Sequence, residues 1–100
     1  MPRYGNKSSE SCRKTIVYKT LIIKYLLDHD SISMEEFREF HPELDQRSTV
    51  RYFDRLYNSR HILQCQGWQQ IPRYKLDEDR RDLCRKAVNY YMTVLEELTT

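Results

Sequence analysis

The stretch from Ile32 to Pro42 constrains this chain more than any other part of it. Ser33-Met34-Glu35-Glu36 has the spacing of a capping box. In that motif the serine hydroxyl accepts from the third helical amide, and the side chain of that residue reaches back to the serine amide. Ile32 and Phe37 occupy the two positions of a hydrophobic staple, which sets the angle at which the chain enters the helix. Pro42 then disfavours helical backbone at His41, so this helix is only about two turns long. So short a helix must lean on a neighbour. Asp45 is an N-cap for one close behind it.

That next helix runs from Asp45 to about Ser59, with Val50, Phe53, Leu56 and Tyr57 on one face. The period then changes. Residues 62–66 and 71–76 read as two strands joined by Gln66-Gly67-Trp68-Gln69-Gln70, with Tyr74 and Leu76 turned inward and Arg73 and Lys75 outward. Asp77 caps a last helix that reaches almost to the C-terminus. A first helix over about Cys12 to Asp28 is apolar nearly all round, as a central helix must be. Residues 1–11 are polar and basic without periodicity and read as a flexible arm, with Arg3 and Lys7 as weak candidates for an anion. The fold class expected is mainly α with a small β-hairpin: a winged helix-turn-helix over 12–76, and a dimerisation helix over 77–100.

Charge is segregated along the chain. Net charge is only +2, yet residues 1–24 hold six Lys/Arg against one Glu, and residues 25–44 hold one Arg against six Asp/Glu. On the third helix each residue advances about 100°. With Val50 at zero, Arg47, Arg51 and Arg55 project at about 60°, 100° and 140°, opposite the apolar residues and close to Ser48 and Asn58. Like charges at i, i+4 repel by a few tenths of a kcal/mol each, so an isolated surface helix would interleave acids. The row makes sense against phosphates and base edges, where the guanidinium fork binds guanine bidentately. Gln46, Arg47, Ser48, Arg51, Tyr52 and Arg55 are therefore the recognition-helix candidates, and Gln69, Arg73 and Lys75 those of the wing. The plain alternative is that the arginines pair with acids such as those of the second helix.

Other chemistries find little support. Hydrophobic residues make up 39% and charged residues 32% of the 100, the balance of a single soluble domain. The longest apolar runs are split by Lys24, well short of a membrane span. Cys12, Cys65 and Cys84 form no CxxC, and with no export signal they favour a reducing cytoplasm. His29, His41 and His61 share no zinc spacing with them, so no metal or cofactor is expected. Glu35, Glu36 and Glu39 are a cap and a solvated face rather than an acid–base cluster. With no nucleophile–base pair and no phosphate loop, an enzyme is not expected.

Leu83, Ala87, Tyr90, Tyr91, Val94 and Leu98, widened by Val88 and Leu95, form an apolar stripe longer than one small core can cover. A homodimer about a twofold axis would bury it and set two recognition helices about one DNA turn apart. Packing of the stripe wholly on the first helix, giving a monomer, is the alternative. Tyr18, Tyr25, Tyr90 and Tyr91 can serve that packing or line a ligand pocket.

Ser48-Thr49-Val50-Arg51-Tyr52-Phe53-Asp54-Arg55-Leu56, running on to His61-Ile62-Leu63, resembles the recognition helix of PadR-like and MarR-like winged-helix regulators. Arg73-Tyr74-Lys75-Leu76-Asp77-Glu78 is similar to their wing-to-helix signature, Tyr-x-Leu-Thr-x-x-Gly. Asp77 here replaces the threonine, Arg80 the glycine, and Arg60 stands where glycine is favoured before the first wing strand. The resemblance implies a homodimer on palindromic or near-palindromic double-stranded DNA. Small proteins of this type on archaeal plasmids and viruses act as repressors or, like the AspA partition adaptors, in segregation beside a second protein. A winged helix used only for protein contact is the alternative function.

Overall fold

The computed structural model describes residues 2–66 and 71–99, with side chains over 13–65, 71–94 and 96–97. Four helices and one hairpin follow in the order α1 (Pro2–Asp28), α2 (Met34–Phe40), α3 (Gln46–Asn58), β1 (Ile62–Gln66), β2 (Pro72–Leu76) and α4 (Arg81–Thr99). A 3-10 turn, Glu78–Arg80, precedes α4 and is capped by Asp77, whose carboxylate accepts from the Asp79 amide at 3.1 Å.

The caps form as their spacing requires. The Ser33 hydroxyl accepts from the Glu36 amide at 3.2 Å, and Glu36 Oε1 accepts from the Ser33 amide at 3.0 Å. Asp45 Oδ1 accepts from the Ser48 amide at 2.7 Å, opening α3. Ile32 and Phe37, the staple residues, are both buried. α1, however, starts at Pro2 and not near Cys12, so residues 2–11 are helical rather than an irregular arm. Proline suits the first helical position, and once the buried segment from Thr20 to Leu26 fixes a helix, each added turn costs little.

The strands pair antiparallel, Ile62 opposite Leu76 and Gln66 opposite Pro72. An isolated antiparallel bridge flanks this two-stranded sheet. Ile32, between α1 and α2, exchanges both backbone hydrogen bonds with Tyr74, at 2.9 and 2.8 Å. This ties the hairpin to the entry of α2. The core gathers Ile22 and Leu26 of α1, Phe37, Phe53, Leu56 and Ile62, with Cys84 and Val88 of α4 closing it from below. Arg60 holds a φ of 63° at the turn from α3 into β1, the position at which a glycine is expected from the resemblance.

Candidate nucleic-acid interface

α3 is rotated from the expected orientation. Its buried residues are Thr49, Tyr52, Phe53 and Leu56, whereas Val50 is only half-buried and Tyr57 is 45% exposed. The inward side thus turns by about 40° toward Tyr52. The cause lies in α1. Tyr18 stacks on Tyr52 with ring centroids 5.3 Å apart, and its hydroxyl donates to Glu43 Oε2 at 2.7 Å. Burial first, and then that carboxylate, push the Tyr18 phenol up to about 12. Tyr52, a candidate for base contact, is instead a buried packing residue and is removed from the interface.

The rotation centres the outward face on Arg47 and Arg51. Gln46, Arg47, Arg51 and Arg55 are exposed and Ser48 is half-buried. No side-chain hydrogen bond or salt bridge engages Arg47, Arg51 or Arg55 among the described residues. The neighbouring acids are occupied elsewhere. The Ser48 amide holds the Asp45 carboxyl below its usual range, with smaller help from Arg51 and Arg38. Glu43 is likewise held low, first by the Tyr18 hydroxyl. Asp54, overlooked in the sequence pattern, shares the arginine face and is exposed without an ion pair to it.

The wing divides its two cations. Lys75 is exposed beside β1. Arg73 is not free: its Nε donates to Ser31 Oγ at 2.9 Å, and its Nη2 lies 2.8 Å from Glu36 Oε1 and 3.3 Å from the Ser31 carbonyl. Alternation along β2 places Arg73 on the outer face as expected, but the Ile32–Tyr74 bridge brings the start of α2 beneath it. Arg73 therefore braces the wing against the capping box and leaves the set of free wing cations. Gln69 lies outside the described residues, as do the side chains of Arg3 and Lys7.

On α4, Cys84, Val88 and Met92 face α1, while Leu83 and Tyr90 are 54% and 65% exposed. Ala87 and Val94 are half-buried and Tyr91 borders on exposed. The side chains of Leu95 and Leu98 lie outside the described residues. The four tyrosines do not converge on one pocket: Tyr18 packs on Tyr52, and Tyr25 on His29 and Phe40.

A two-turn helix joined by a tight turn to a longer one, followed by an antiparallel hairpin pinned beside them, defines a winged helix-turn-helix. Among solved structures the chain is similar to Lactococcus lactis ZitR, C30AH42A mutant in apo form. The match has a TM-score of 0.65 at 8% identity and covers 98% of this chain and 74% of that one. The likeness is one of fold. No family model matches the chain, and no curated protein matches it in sequence. No helix among the described residues is long and apolar enough to cross a membrane.

Proposed function

We propose that the protein is a winged-helix regulator that binds double-stranded DNA as a homodimer. The observation that carries this reading is the outward face of α3, where Arg47, Arg51 and Arg55 stand without a carboxylate partner among the described residues. The first turns of a recognition helix meet the major groove, so Arg47 and Arg51 read base edges and Arg55 holds phosphate. Lys75 adds a phosphate contact from the wing. The unburied row of Leu83 and Tyr90 on α4 supports pairing of two copies, which gives one duplex two arginine faces.

The test is fluorescence anisotropy on duplexes selected from a random pool. Each phosphate neutralised contributes a slope of about −0.9 in log affinity against log salt, so affinity falls at least about tenfold between roughly 50 and 200 mM. Arg51→Ala costs about 1–3 kcal/mol on the selected sequence and relaxes preference at one base pair. Affinity indifferent to salt, or untouched by Arg47→Ala and Arg51→Ala, refutes the assignment and leaves a winged helix used for protein contact.

A further inference from the structure

α4 carries two apolar faces side by side, and its own chain covers only one of them. The covered face is Cys84, Val88 and Met92 against α1. The other holds Tyr90, at 65% the most exposed large hydrophobic residue described, and Leu83 at 54%. Beside this second face lies an open cavity of about 240 Å³ between α1, the end of α3 and α4. Its floor is Ile23, Leu56 and Val88, and its α4 wall is Leu83, Ala87 and Tyr91. Lys19, Thr20 and His61 line its polar side, and no carboxylate of the described residues lines it. Thr20 and Lys19 bring a hydroxyl and an ammonium to that side, and neither has a side-chain hydrogen bond or ion pair to a described residue.

We propose that this cavity receives Tyr90 of a second copy of the chain, reciprocally, and so sets the register of the dimer. The inference rests on the homodimer put forward above and specifies it. A phenol has an apolar body and one polar tip, the complement of an apolar floor with an unpartnered hydroxyl and ammonium at one side. Ala87 is the small residue between Leu83 and Tyr91, a hole in the row into which a knob from a facing helix fits. An isologous pair sets residue i against j and j against i. A twofold axis passing beside Val88 and Asn89 puts residue 90 of each copy opposite residue 87 of the other. That axis lies near the middle of Arg81–Thr99, so the two helices cross antiparallel and overlap along most of their length. A small molecule in the cavity would leave Tyr90 and Leu83 bare. A second copy covers both.

Two chains decide it, one carrying Tyr90→Cys and the other Ala87→Cys, each with Cys12→Ser and Cys65→Ser. A disulfide requires Cα atoms within about 7 Å. On oxidation the mixture yields a covalent pair between position 90 of one chain and position 87 of the other, and neither chain does so alone. In sedimentation equilibrium, Ala87→Trp and Tyr90→Ala each weaken dimerisation at least about tenfold, while helix content by circular dichroism is kept. A wild-type dimer without the mixed disulfide, unmoved by both substitutions, overturns the register but leaves the dimer. A wild-type monomer overturns both. A small molecule retained in the cavity in native mass spectrometry overturns the tyrosine as occupant.

Discussion

Replacing Arg73 by alanine separates two roles that one cation on a wing strand can have. Its guanidinium bridges Ser31 and Glu36, with Nη2 2.8 Å from Glu36 Oε1 and Nε 2.9 Å from Ser31 Oγ. A hydrogen bond to a charged partner contributes about 1.5–3 kcal/mol when shielded. Here the two side chains are 30% and 41% exposed, and solvent screening lowers the sum to roughly 1–2 kcal/mol. Glu36 also receives the Ser33 amide, so freeing it loosens the capping box. In a domain of this size 1 kcal/mol moves Tm by about 4–8 °C, so Arg73→Ala lowers Tm by about 4–16 °C in calorimetry. Lys75→Ala, exposed and without an ion pair among the described residues, stays within about 0.5 kcal/mol and weakens DNA binding alone. A cycle with Glu36→Gln gives a coupling of about 0.5–1.5 kcal/mol between positions 36 and 73. If Arg73→Ala melts with the wild type and instead loses DNA affinity as Lys75→Ala does, the brace is wrong and Arg73 is a contact.

Three further outcomes follow from named geometry. Tyr52→Ala costs about 3–5 kcal/mol in urea unfolding, because it empties a buried site against Tyr18; lost DNA affinity at unchanged stability would contradict its burial. Arg60→Gly raises stability by up to about 1 kcal/mol, since the left-handed backbone relieved is worth about 1–2 and the added unfolded-state freedom takes back part; a loss of stability refutes the strain. The Tyr18 phenol, pushed up to about 12 in the folded chain from the ordinary 10, contributes stability that is complete below pH 10 and is lost as pH rises toward 12. Urea midpoints between pH 9 and 11.5 should fall more for wild type than for Tyr18→Phe.

Local chemistry was legible in the sequence wherever it is written in consecutive residues. The Ser33–Glu36 box, the Asp45 cap and the two strands are fixed by spacings of a few positions, and they form accordingly. The orientation of α3 is not local. Tyr52 and Tyr57 are both tyrosines on one amphipathic helix, and only a ring supplied from α1, thirty-four positions before Tyr52, decides that the first is buried and the second exposed. The contact of Arg73 is hidden from the sequence for the same kind of reason. Strand alternation tells which side of β2 a residue leaves, but the partner on that side arrives through a single bridge at Ile32, too short to leave a periodic signal. Arg47 and Arg51 stay exposed because the rotation moves the outward face toward them.

The acids explain why a chain of net charge +2 still exposes an uncompensated cationic face. Carboxylates outnumber cations over residues 25–44, the segment just before α3, and would be expected to quench it. Two of them, Glu36 and Glu43, and Asp45 directly after the segment are spent on architecture. Glu36 is shared by the Ser33 amide and Arg73, Glu43 takes the Tyr18 hydroxyl, and Asp45 takes the Ser48 amide. Glu36 thereby fixes the start of α2 and the wing, Asp45 the start of α3, and Glu43 the Tyr18 ring that sets the rotation of α3. The contacts of Glu43 and Asp45 that set the rotation and start of α3 thus also tie two acids near its arginines into hydrogen bonds of their own. Only Asp54 remains on that face, and it neutralises none of the three arginines by an ion pair. Their mutual repulsion, a few tenths of a kcal/mol for each i, i+4 pair, is left for an external anion to relieve. A row of duplex phosphates, one negative charge per about 1.7 Å of helix axis, relieves it along the whole length of the row at once.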